Sequence, residues 1–165
     1  MRVLGVTFAF LTLSMAVTAQ APAPKPESTL LQVMRAILFP NSNIIFDAQN
    51  EDPGAPKKEG AEGKYGNVYG GWMAVENAAL ALSEAANLLM IPGRMCGNGK
   101  PAPLNRPDWP KFVAELREAG QVAYKAALTK NQDNIVDASG TVTEACSACH
   151  DVYREKTNLA DRCTP

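Results

Sequence analysis

The chain has 165 residues, 46% of them hydrophobic, with 16 Lys and Arg against 17 Asp and Glu and a net charge of −1. A balanced charge with scattered basic residues excludes a nucleic-acid surface. It also leaves enough apolar material, in the roughly 145 residues that follow an N-terminal leader, for one domain with a real core.

Arg2 supplies a basic start, Val3 to Val17 form a short apolar run, and Val17-Thr18-Ala19 offers small residues for cleavage. This is the pattern of a secretory signal peptide and not of a membrane anchor. The leader is expected over residues 1–19, with cleavage after Ala19 or as late as Ala21. No cysteine stands at that position to carry a lipid, and no later run is apolar for long enough to span a bilayer. The mature protein is expected to be soluble and exported, in a bacterium to the periplasm. Residues 20–27, rich in Pro and Ala, read as a tether; residues 28–165 form the remaining domain.

Four helices are expected in that domain. The first begins at Ser28 as N-cap and carries Leu30, Leu31, Met34, Ile37 and Leu38 at helical spacing. Pro40 should break or kink it, with Ile44, Ile45 and Phe46 continuing beyond. Residues 50–70 are polar, with Pro53, Pro56 and repeated Gly, and read as a long loop; loops of that length tend to be mobile or to cover a site. The second helix should run from Gly71 to Ile91, with Trp72, Val75, Ala79, Leu82, Ala86 and Leu89 as its buried stripe and Pro92-Gly93 as its stop.

After a loop over residues 94–106, Asp108 is expected to cap the third helix, with Pro110 in its first turn. Trp109, Val113, Leu116, Gly120, Ala123 and Ala127 form its stripe. Residues 131–133 turn the chain into a fourth helix carrying Ile135, Ala138, Val142, Ala145, Cys149 and Val152. No strand pattern appears. The expected fold is all-α, an antiparallel four-helix bundle.

The fourth helix holds Cys146-Ser147-Ala148-Cys149-His150. Two cysteines two residues apart, followed at once by a histidine, form the attachment signature of c-type haem. Two thiols so spaced can add to the two vinyl groups of one haem, and the adjacent imidazole can ligate its iron. His150 is the chain's only histidine. Three plainer readings compete. A thioredoxin-like pair requires a strand before the motif. A structural zinc site would draw on Cys96, Cys146, Cys149 and Cys163 or His150, but the outer two are isolated. A Cys146–Cys149 disulfide would be strained within a helix.

The run Cys146-Ser-Ala-Cys149-His150-Asp-Val-Tyr153-Arg154-Glu-Lys156 resembles the C-terminal haem-binding helix of the class II c-type cytochromes, the cytochrome c′ and cytochrome c-556 family. The resemblance implies a four-helix bundle with one haem c bound at the last helix through Cys146 and Cys149, and with His150 as an iron ligand. It implies an electron carrier with redox protein partners, or a protein that binds NO or CO, and not an enzyme. It also implies that Arg154 lies near the proximal face of the haem, against the plainer reading of Tyr153 and Arg154 as residues of an exposed helix end. Family members often form homodimers.

The two family chemistries differ in what the first helix presents to the iron. In an up-down-up-down bundle that helix starts where the fourth ends. His150 stands about seven residues, or ~10 Å, before the end of the fourth helix, and Met34 about as far into the first. Met73 belongs to the opposite end; Met90 and Met95 lie near a helix terminus or in a loop. Met34 is therefore the candidate second metal ligand, which gives electron transfer through a six-coordinate iron. Leu30 or Leu31 in its place would leave a five-coordinate, gas-binding iron. The 94–106 loop and the C-terminal tail fall at that same end, so Cys96 and Cys163 can join in an oxidising compartment. The alternatives are two free thiols or an intermolecular link.

Overall fold

The computed structural model describes residues 25–56 and 69–165. The expected leader, most of the tether and the middle of the 50–70 loop lie outside the described residues. Within them the fold is all-α. Four helices form and no strand does, the nearest approach being one isolated bridge between Met95 and Pro101.

The first helix is capped by Thr29 rather than Ser28. The Thr29 hydroxyl accepts from the Gln32 N–H at 3.3 Å, and the Gln32 side chain accepts from the Thr29 N–H at 2.8 Å. This reciprocal box satisfies two of the free N–H groups of the first turn, and it needs Gln three residues after the cap. From Ser28 the third residue is Leu31, which has no acceptor to offer.

The helix then continues past Pro40 through Ile44, Ile45 and Phe46, with an irregular turn before the proline rather than a break. It runs as an α-turn over Leu30–Val33, a π-helical segment over Met34–Leu38 and an α-helix over Phe39–Asp47. A proline in a regular helix collides with the carbonyl four residues back and cannot donate to it. Here the turn before it is loosened, and the Phe39 N–H donates to the Met34 carbonyl, five residues away. Asn41 and Asn43 donate to the carbonyls of Ile37 and Phe39, each at 2.7 Å, and Ser42 also donates to Phe39. Side chains next to the proline thus supply donors where the backbone ladder is disturbed.

The second helix spans Trp72–Ala85 and tightens into a 3₁₀ stretch over Ala86–Met90. The third spans Asp108–Leu128 and the fourth Gln132–Tyr153, the latter capped by Asn131 accepting from the Asn134 N–H. Asp108 does not cap the third helix. It stands inside the first turn, and its carboxylate is engaged elsewhere: Tyr153 Oη donates to it at 2.8 Å and Arg106 lies at 3.4 Å.

The first and third helices each pack against both the second and the fourth. Between them lies a core built on Ile45, Val75, Leu82, Trp109, Ile135 and Val142, all fully buried. Small residues let the second and third helices approach closely. A Cβ on Gly120 would stand 2.7 Å from the Ser83 backbone nitrogen and 2.9 Å from the Ala79 carbonyl oxygen. At one end, Gln49 donates to Ser139 and Gln132 to the Ala48 carbonyl, joining the end of the first helix to the start of the fourth.

At the other end the 94–106 loop joins everything. Arg94, almost wholly buried, donates to the carbonyls of Leu88 and Ser28. Leu30 donates its N–H to the Met95 carbonyl at 2.8 Å. Cys96 forms a disulfide with Cys163. Among the described residues no helix is long and apolar enough to cross a membrane.

Candidate functional site

The end closed by the 94–106 loop contains a cavity of about 810 Å³. Met34, Cys146, Cys149 and His150 all line it. Sequence separations above one hundred residues are thus brought to one space, because the first helix begins at the end where the fourth finishes. Met73, Met90 and Met95 do not line it. Leu30, Leu31 and Leu38 share the first-helix wall with Met34, while Leu82, Leu89, Trp109 and Val113 line it from the second and third helices.

The fourth helix sets the spacing of its own contributors. One turn separates Cys146 from Cys149 and from His150, so all three lie towards the same side. Both cysteines are free thiols and only partly exposed. Burial pushes the Cys146 thiol above its ordinary range. Cys149 is pushed up to about 11, chiefly by burial, with the neighbouring Cys146 and Asp108 adding to it. Reactive redox dithiols need the reverse, a thiol pulled down by a helix N-terminus or a cation. These two stand late in a long helix and stay protonated, and no strand leads into them. The thioredoxin-like reading fails on both grounds.

His150 is held below its ordinary range, first by burial and then by the Arg154 guanidinium, with Glu155 and Asp151 acting in the other direction. Arg154 Nη1 lies 3.3 Å from His150 Nδ1. A neutral imidazole is the form that binds a metal. Arg154 also lines the cavity, one turn after His150. Tyr153 is buried rather than exposed. Its ring meets Trp109 edge-on at 5.1 Å and Phe112 at 6.2 Å, and its hydroxyl reaches Asp108. It fixes the last turn of the fourth helix against the third.

Sequence reasoning missed several contributors, among them Phe39, Leu159, Arg162 and Asn98. Phe39 is 67% exposed and Leu159 61% exposed, and both stand at the cavity's mouth. Arg162 lines it from the C-terminal tail, and Asn98 from the 94–106 loop donates to the carbonyls of Ala160 and Arg162. The Gly97-Asn98-Gly99 turn was the available signal for the last. A Cβ on Gly97 would stand 2.8 Å from the end of the Leu31 side chain, which would have to shift. The described ends of the 50–70 loop take no part in the lining; Gly54 lies against Trp72 instead.

The donor set suits a macrocycle better than a bare ion. Cys96 and Cys163 are joined to each other, which removes them from a zinc site. Among the described residues no three His, Cys, Asp or Glu side chains converge as a metal cage. A haem carries its own four equatorial nitrogens and asks the protein only for axial ligands and an apolar slot. The cavity falls within the volume range of ordinary cofactor and ligand pockets, about 300–1,000 Å³. Comparison with family models, with curated proteins and with solved structures finds no match for this chain.

Proposed function

We propose that the protein is an exported, monohaem c-type cytochrome of the class II type, a four-helix bundle that carries single electrons in the periplasm. One haem would be held covalently by Cys146 and Cys149, with His150 and Met34 as the two axial ligands of its iron. The group supplies reversible one-electron chemistry when bound. The observation that carries this reading is the meeting of Met34 with Cys146, Cys149 and His150 on one apolar cavity. Two thiols and an imidazole come from the end of the last helix, and a thioether from the start of the first.

The chain's residues do the remaining work. Burial keeps His150 neutral and ready to ligate, and keeps both thiols protonated and therefore resistant to oxidation before attachment. The π-helical register begins at Met34, so the peptide that presents the thioether is locally set apart from a regular helix; such bulges recur at functional positions. A thioether ligand favours the reduced iron and raises the potential. Leu30, Leu31, Leu38 and Trp109 keep water from the ring. A redox protein partner would meet the cavity's mouth at Phe39 and Leu159.

Optical and EPR spectra of the purified holoprotein test this. The wild type should be low-spin in both oxidation states, and Met34→Ala should become five-coordinate and high-spin and bind CO rapidly. A wild type that is already high-spin, or an unchanged ligand field in Met34→Ala, removes Met34 as ligand. A second reading has its own support, since Leu30, Leu31 and Leu38 line the same wall. If one of them faces the iron, the haem is five-coordinate and the protein binds NO or CO. Rapid CO binding to the reduced wild type would select it.

A further inference from the structure

Among the described residues, three arginines line the cavity, Arg35, Arg154 and Arg162, and no Asp or Glu does. An apolar space with cations in its wall and no anion of its own calls for a ligand with an apolar body and acidic groups. Arg162 is the informative one. Among the described residues, its Nε is the only buried side-chain nitrogen or oxygen without a hydrogen-bond partner. A guanidinium offers five N–H donors in a fixed fork, and leaving a buried donor of a charged group unmade is costly.

The backbone around Arg162 is nevertheless held from several sides. Its N–H donates to the Leu159 carbonyl and its own carbonyl accepts from Asn98 Nδ2 at 2.9 Å. The next residue, Cys163, is bonded to Cys96 and donates its N–H to the Tyr153 carbonyl at 2.8 Å. Cys163 also sits at φ 63°, a left-handed conformation that residues other than Gly rarely adopt. Strain of that kind persists only where the surroundings over-determine it. The tail is thus fixed so that the Arg162 side chain lines the cavity.

We propose that Arg162 binds a propionate carboxylate of the haem, and that the Cys96–Cys163 disulfide holds it in position to do so. This rests on the cytochrome reading above. Arg162 donates from its guanidinium fork to the carboxylate, which neutralises a charge beside the ring. Lysine cannot replace it, because an ammonium has no planar fork to match a carboxylate.

The test uses purified holoprotein as wild type, Arg162→Gln, Arg162→Lys, the double variant Cys96→Ser/Cys163→Ser, and Lys125→Gln as a charge control on the exposed face of the third helix. Resonance Raman propionate bands and the equilibrium reduction potential are read on each. Arg162→Gln should shift the propionate bands and lower the potential, since losing a nearby cation favours ferric iron. Arg162→Lys should shift the bands while holding the potential closer to wild type. The double variant should reproduce the band shift with every charge in place, and Lys125→Gln should leave both readouts unchanged. Covalent haem in the wild type with unaltered propionate bands in Arg162→Gln or Arg162→Lys overturns this proposal alone. A wild type without covalent haem overturns the cytochrome reading and this proposal with it.

Discussion

Tyr153 shows how one residue serves both the fold and the cavity. Its ring closes the space between Trp109 and Phe112, and its hydroxyl donates to the Asp108 carboxylate at 2.8 Å. That bond is the main reason the Asp108 carboxyl is held below its ordinary range; burial opposes it, and Arg106 adds a smaller pull in the same direction. A carboxyl whose pKa is lower in the folded state stabilises the fold above its unfolded pKa, about 3.9. The contribution is lost as pH falls through the folded value. Tyr153→Phe keeps the ring and removes the donor. Its urea midpoint should lie below that of the wild type at neutral pH, and the gap should narrow as pH drops below about 4. A gap that stays constant across that range would assign the effect to packing and not to the carboxylate. The sequence pointed to Tyr153 and Arg154 only through a resemblance. It placed Asp108 as a cap, because Asp before an apolar run is the usual start signal. Nothing local reveals a partner 45 residues away.

At the scale of elements, two helical glycines give opposite expectations. Gly120 touches backbone of the second helix, and backbone cannot move aside as a flexible side chain can. Gly120→Ala gains up to about 1 kcal/mol of helix propensity but meets an overpacking cost of roughly 1–3 kcal/mol. It should be destabilised on balance. Gly140, in the fourth helix, has nothing within 4 Å of an added Cβ. Gly140→Ala should therefore be stabilised by about 0.4–1 kcal/mol. Urea unfolding of the two variants checks the pair, and equal shifts of one sign would contradict the helix contact at Gly120. The apolar stripes that place Gly120 inward were legible, because helical period depends on nothing but the neighbouring turns. Val75, Leu82, Val113, Leu116, Ile135 and Val142 all lie where that period puts them. The continuation beyond Pro40 was legible in Ile44, Ile45 and Phe46, but the π-helical turn that permits it was not. Proline's cost is local and predicts a break or kink, whereas the donors that offset it, Asn41, Ser42 and Asn43, act only once the π-helical turn exists. Met34 and His150 could be matched by height along two helices, yet Arg162 could not, since the tail that carries it follows no period.

For the whole molecule, the Cys96–Cys163 bond matters through the chain it encloses. Its ends are 67 residues apart, and the third and fourth helices lie between them. Loop-closure entropy for that length gives roughly 4 kcal/mol of stabilisation by restricting the unfolded chain. The native ties at this end, Asn98 to the tail carbonyls and the Cys163 N–H to Tyr153, are individually about 1 kcal/mol each. They survive replacement of the sulfurs only if the tail stays docked. Cys96→Ser/Cys163→Ser should therefore lose several kcal/mol, and the loss should carry a signature in the denaturant slope. An uncrosslinked unfolded chain exposes more surface, so its m-value should rise while its midpoint falls. Native contacts alone would lower the midpoint at constant m. Limited trypsin digestion separates the second contribution. Arg154 and Arg162 flank the tail, and earlier cleavage there in the folded variant would mean that the cavity has lost its C-terminal wall. Late cleavage with a raised m-value would mean that Asn98 and Tyr153 hold the tail without the bond, whose effect would then lie in the unfolded state alone.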